Sequence, residues 1–166
     1  MFRSIDDFLA SWKHESDATL RVLRNLTDAS LAQRVTPEGR TLGFLAWHLT
    51  TSVSEMMSAA KLPVHVTGHG DPAPSSAAAI VEAYEKSAAA VAQAVPAAWT
   101  DAQLGDAIPM YGETWTKGGV LVSLIVHQAH HRGQVTVLMR QAGLKVPGVY
   151  GPAREEWAVM GMPAQP

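Results

Sequence analysis

Cysteine is absent from the 166 residues. That excludes a disulfide framework, a thiolate nucleophile supplied by the chain itself, and any zinc or iron–sulfur site built on thiolates. A bound metal would have to be held by His, Asp or Glu. An excess of either charge is missing too: 13 Lys and Arg stand against 15 Asp and Glu, interspersed, for a formal net charge of −2. No electrostatic footprint therefore argues for a nucleic-acid backbone or an anionic membrane, and the expected partner is a small molecule or a second copy of the chain. No apolar run reaches the roughly eighteen residues that a membrane helix needs. Asp6 and Asp7 fall where a secretory leader would be apolar, so a soluble cytoplasmic protein is expected. Several catalytic signatures are lacking as well. The Glu-x-x-His pairs of di-iron bundles, the His-Glu-x-x-His metalloprotease motif, the Gly-x-x-x-x-Gly-Lys phosphate loop and the Gly-x-Ser-x-Gly elbow do not occur.

What is present is enough apolar material, 47% of residues, to build one core, and a single domain over 1–166 is expected. At about 100° per residue, Ile5, Phe8, Leu9, Trp12, Leu20, Leu23 and Leu26 form one stripe of a first helix. Ser16 and Thr19 interrupt the stripe, suggesting a polar cavity, and His14 lies opposite it. A second helix opens at Arg40-Thr41 and runs to about Ala60, burying Leu42, Leu45, Leu49, Val53 and Met56, before Pro63 and a loop rich in Gly and Pro. Ser75 or Ser76 caps a third helix, which Pro96 is expected to end. Residues 106–119 have no helical period and read as an irregular loop, with a hairpin-like course as the alternative. A fourth helix, about Lys117 to Ala142, carries Val120, Leu124, Val135 and Leu138 on its centre line and stops at Gly143. Four amphipathic helices imply an all-α four-helix bundle, with an irregular C-terminal tail bearing Val149, Tyr150 and Trp157 packed against it before fraying.

The segment His127-Gln128-Ala129-His130-His131-Arg132-Gly133-Gln134 holds the chemistry. His127 and His131 stand at i and i+4 and share the inward face, whereas His130 falls outside it. Two inward imidazoles one turn apart can share an ion, with metal–nitrogen distances of about 2.0–2.1 Å for zinc. A third ligand is needed, and His48 lies on the flank of the second helix's buried face, alongside Ser52 and Glu55. Three histidines would leave coordination positions open for water or substrate. For a lone inward histidine, hydrogen-bonded packing is the commoner state; the pair makes a metal an equal alternative, because two buried rings otherwise need partners.

The run Gly39-Arg40-Thr41-Leu42-Gly43-Phe44-Leu45-Ala46-Trp47-His48-Leu49, followed by His127-x-x-x-His131-Arg132-Gly133-Gln134, resembles the paired motifs of the DinB/YfiT-like family. Val146-Pro147-Gly148-Val149-Tyr150-Gly151-Pro152 is similar to a segment that follows the last helix in that family. The resemblance implies an up-down-down-up bundle with a divalent metal on His48, His127 and His131. It also implies a thiol-dependent transferase, hydrolase or isomerase using a low-molecular-weight thiol, and a homodimer. Imidazole ligands suit zinc or nickel. A non-enzymatic stress-response bundle that binds a metal or ligand, and a metal-free bundle whose histidines are packing residues, are the alternatives.

Around the motif, Gly133 suggests close approach by another helix and Gln134 an inward side chain that orients a ligand or makes a buried hydrogen bond. Arg132 is expected at the surface in an ion pair. Glu55 is a candidate acid or base or a solvated flank, and Trp47, Tyr111 and Trp115 are candidate pocket walls or simple packing. His65 and His69 are expected to be exposed without a ligand role.

Overall fold

The computed structural model describes residues 2–68 and 70–164. Four long helices form the bundle: α1 (Ile5–Leu23), α2 (Leu42–Ala59), α3 (Ala77–Ala98) and α4 (Lys117–Gln141). Each starts at a hydroxyl N-cap. Ser4, Thr41, Ser76 and Thr116 accept from the backbone N–H of Asp7, Phe44, Ala79 and Gly119, respectively. Each cap satisfies one otherwise unpaired amide and contributes about 1 kcal/mol.

The helix directions follow from the contacts at their ends. Leu42 N donates to Gln33 O, and Ala77 N donates to the Asp28 carboxylate. Both α2 and α3 therefore begin at the end of the bundle where α1 finishes. Ile5 N donates to Asp101 and Gly118 N to Leu104 O, so α3 ends, and α4 begins, where α1 started. The arrangement is up-down-down-up, with α1 and α2 each packed against both α3 and α4.

Phe8, Trp12, Leu49, Val53, Ile80, Tyr84, Val91, Leu121 and Val135 are all buried in the core. Trp12 donates its indole N–H to Ala88 O at 2.9 Å, tying α1 to α3.

Three expectations change here. The third helix does not stop at Pro96 but runs two residues further, to Ala98. A proline in the last turn removes one donor while Trp99 N still reaches Val95 O, so the end of the helix survives it. Residues 107–116 are a regular hairpin, β1 (Ala107–Met110) paired antiparallel with β2 (Glu113–Thr116), Ala107 opposite Thr116 and Met110 opposite Glu113. Its turn, Tyr111-Gly112, has φ of 53° and 83°, the primed geometry that matches the strand twist. Gly133 meets nothing within 4 Å of where a Cβ would sit, so no neighbouring helix explains it.

The tail packs as expected. Val146 is buried, and Glu156, in a 3-10 turn over Arg154–Met160, accepts from Gly148 N and Ala153 N. Fraying at the last two residues lies outside the described part of the chain. Among the described residues, no helix is long and apolar enough to cross a membrane.

Candidate metal centre

Because α2 and α4 run antiparallel, Leu45 shares a groove with Leu138 while Leu49 lies against Gln128 three turns away. His48 therefore faces His127 and His131. The three residues each offer a ligand atom, and these atoms all lie within 4.8 Å of one another. The ring of His48 stands 5.1 Å from that of His127 and 4.5 Å from that of His131, centroid to centroid. His131 is buried, and the other two are half-buried. Glu55 and the other carboxylates do not join the group among the described residues, so the protein offers three neutral ligands rather than a closed shell.

Burial disfavours the protonated form of His127 and His131. Burial, with help from His131, His48 and His130, lowers the pKa of His127 to about 4. Burial also lowers that of His131; Gln134 opposes the shift, whereas His130 and Arg40 add to it. The His127 Nδ1 is buried without a hydrogen-bond partner among the described residues. A neutral imidazole is the form that binds a metal, so neither ligand has to lose a proton at neutral pH.

Gln134 sits at the exposed rim, not on the inner face. Its Oε1 lies 2.7 Å from His131 Nδ1 and its Nε2 3.1 Å from His130 Nε2. An amide oxygen only accepts, so His131 carries its proton on Nδ1 and leaves Nε2 as a lone-pair donor. His130 is exposed and outside the cluster, as the helical spacing indicated.

Two buried polar networks brace α4, and sequence reasoning missed both. Gln128 is fully buried: it accepts from the Tyr84 hydroxyl at 3.0 Å and donates to Leu49 O at 2.8 Å, one residue after His127 and about one turn before His131. Arg132 is not a surface residue. It is 2% exposed and donates to the Glu15 carboxylate at 2.7 Å, to Thr19 Oγ1 at 3.0 Å and to the Tyr150 hydroxyl. The polar interruption of the α1 stripe is thus filled by a guanidinium rather than left as a cavity, while Ser16 turns back to Lys13 O. Glu15 was the missing signal, an acid at the same spacing as Trp12 and Thr19.

One cleft is lined by His48, and a second lies beyond Gln134, the partner of His131. The first, of about 370 Å³, is lined by Phe44, Trp47, His48, Glu55 and residues 70–73. Trp47 holds its wall by donating to Asp71 O at 2.8 Å. Tyr111, at the hairpin tip, packs edge-on to Trp115, and its hydroxyl pKa is raised by burial and by the neighbouring Glu55 carboxylate. The other cleft, about 360 Å³, is lined by Val35, Gly39, Arg40, Leu45, Gln134, Val137 and Leu138. His65 is exposed and bonds Ser58, away from the site; His69 lies outside the described residues.

Comparison with known proteins agrees with this architecture. The DinB family model matches residues 1–165. The uncharacterized protein YrdA of Bacillus subtilis (strain 168) is 46% identical over 164 residues, which is 99% of this chain and 98% of that one. The crystal structure of a DinB-like protein from Bacillus cereus ATCC 10987 superposes with a TM-score of 0.87 at 42% identity, covering 90% of this chain and 100% of that one. The DinB-like protein YjoA of Bacillus subtilis shares the fold, with a TM-score of 0.65 at 16% identity, over 86% of this chain and 96% of that one. With its motifs, its bundle and its three-histidine cluster in one frame, the chain belongs to the DinB family.

Proposed function

We propose that this protein is a metal-dependent enzyme acting on a small molecule, with His48, His127 and His131 as ligands of one zinc or nickel ion. The observation that carries the reading is the convergence of three ligand atoms within 4.8 Å, from two helices, with no fourth protein ligand among the described residues. The donor set fits: neutral imidazoles suit both metals, and the buried, unpartnered nitrogen of His127 leaves a polar atom that packing alone does not serve. When bound, such an ion supplies Lewis acidity that lowers the pKa of a water or thiol at its open position.

The chain's own residues have separable tasks. Gln134 fixes the tautomer of His131. Glu55 lines the same cleft as His48 and is placed to accept a proton from an incoming nucleophile. The raised pKa of Tyr111 keeps its hydroxyl protonated beside Glu55. Trp47 and residues 70–73 close the cleft wall and limit water. The chain has no cysteine, so any thiol used in transfer comes from a cosubstrate, and a low-molecular-weight thiol is the specific candidate.

Elemental analysis of protein purified without an affinity tag, beside His48→Ala, His127→Ala and His131→Ala, tests the reading. Near-stoichiometric zinc or nickel in the parent, lost in each variant, is the expected outcome. It would be followed by a screen of low-molecular-weight thiols against electrophilic acceptors for metal-dependent turnover. A parent that takes up neither metal on reconstitution leaves the histidines as packing residues.

A further inference from the structure

Two clefts differ in chemistry: one is lined by His48 itself, and the other reaches the cluster only through Gln134, which bonds His131. The one with Glu55 is acidic; the one with Arg40 is cationic and apolar. Arg40 immediately precedes Thr41, the N-cap of α2, so its backbone is fixed at a helix start. Its guanidinium lies 5.0 Å over the Phe44 ring, and that ring is stacked on His48, nearly parallel at 9° and 6.1 Å away. The cation is thereby held along α2 toward the histidine cluster instead of sweeping freely through solvent. On the far side of the same cleft, Gln134 holds His131.

Arg40, like Arg3, Arg21 and Arg154, makes no ion pair among the described residues, but it alone of these lines this cleft. Arg24, Arg132 and Arg140 each pair with a carboxylate, and Arg34 donates to Pro37 O. Among the described residues no carboxylate pairs with Arg40, and none of its N–H groups is used in a hydrogen bond. Its planar fork is shaped for a carboxylate. Val35 and Val137, 65% and 55% exposed, give the cleft apolar walls that would take a hydrocarbon body. Three neutral ligands would leave the full charge of a divalent ion uncompensated, so the field on this side of the cluster favours an anion.

We infer that Arg40 is a substrate anchor, and that the substrate class is a small organic carboxylate whose charged head pairs with the Arg40 guanidinium while its apolar body lies against Val35 and Val137. The inference deepens the metal-centre reading and rests on it for the identity of the ligand as a substrate. The anion contact itself does not require the ion to be present. A phosphate monoester would also seat against the same fork, but it carries a larger charge on a tetrahedral rather than a planar head.

The test is a calorimetric titration of the metal-free and the zinc-reconstituted protein with phenylacetate, phenylacetamide and phenyl phosphate, for the parent, Arg40→Gln and Arg40→Lys. Zinc content is measured on the same samples. The acid should bind about tenfold or more tightly than its amide in the metal-free parent, a gap worth one charge-assisted pair. Arg40→Gln should abolish that gap, Arg40→Lys should retain part of it, and both should keep the parent's zinc content. Equal binding of acid and amide, an undiminished gap in Arg40→Gln, tighter binding of phenyl phosphate than of phenylacetate, or loss of zinc in Arg40→Gln would each overturn the proposal. A parent that binds no zinc but still discriminates acid from amide through Arg40 would sink the metal reading and leave the anchor standing.

Discussion

One hydrogen bond at the rim of the cluster sets which nitrogen of His131 faces inward. Gln134 Oε1 can only accept, so Gln134→Ala would let the His131 ring rotate and change tautomer without touching the core. Zinc affinity measured by chelator competition should fall about 10–100-fold, with the unfolding midpoint of the metal-free protein unchanged, because the side chain is exposed. Gln134→Glu keeps an acceptor oxygen and should keep the metal. The lowered pKa of His127 makes a second prediction at this scale. Above an ordinary histidine pKa of 6.5, the ring is neutral folded or unfolded and contributes nothing to pH dependence. Between 6.5 and about 4 the unfolded chain takes up a proton that the folded ring refuses, so acidification destabilises the metal-free protein across that window; below it both forms are charged and the loss levels off. His131 shifts in the same direction. Denaturant titrations from pH 7 to 4 should show the decline, and His127→Gln, which cannot titrate, should flatten it.

Elements show how far the sequence could be read. The four helices were legible because of their apolar spacing; α2 opens just after Thr41, and Ser76, one of the two serines expected to do so, caps α3. The histidine triad was legible in part from the i,i+4 spacing of His127 and His131 and from the place of His48 on the flank of the second helix's buried face; the resemblance joined the three into one ligand set, since only tertiary packing sets α2 antiparallel to α4. Arg132 was misread for a physical reason: a wheel scores polarity, and the acid that neutralises this cation is on another helix, 117 residues away in sequence. Gln128 was hidden likewise, its partners Tyr84 and Leu49 being supplied by α3 and α2. Arg132 joins α1, α4 and the tail, so Arg132→Ala would leave the Glu15 carboxylate buried without its cation. Unfolding free energy should drop by roughly 3–5 kcal/mol, and Arg132→Met, which fills the volume, with Glu15→Gln should recover much of it. In the hairpin, Gly112 has φ of +83° and open space where a Cβ would go, so Gly112→Ala costs backbone strain alone, about 1 kcal/mol by the same measurement.

At the scale of the molecule, a metal on His48, His127 and His131 would cross-link α2 to α4 between helices otherwise joined by packing and by the Gln128 bridge. Each end of that link lies in a different part of the chain, and nothing in the unfolded state holds the three rings together. Binding energy is therefore delivered almost entirely to the folded form. With free zinc at a hundred times its dissociation constant, the gain is about 2.7 kcal/mol. For a chain of this length each kcal/mol moves the unfolding temperature by roughly 2–4 °C, so the midpoint should rise by about 5–11 °C on reconstitution. Chelation should return it to the starting value. Replacing any one of the three histidines by alanine should remove most of the zinc-dependent rise while leaving a cooperative transition, because His48 and His127 are only half-buried and the core beneath them is made by other residues. A zinc-dependent rise that survives all three substitutions would place the ion elsewhere. A parent whose midpoint zinc does not move would mean that the bundle owes nothing to the cluster, and that Gln128 with the Glu15–Arg132 pair suffices to hold α4 in place.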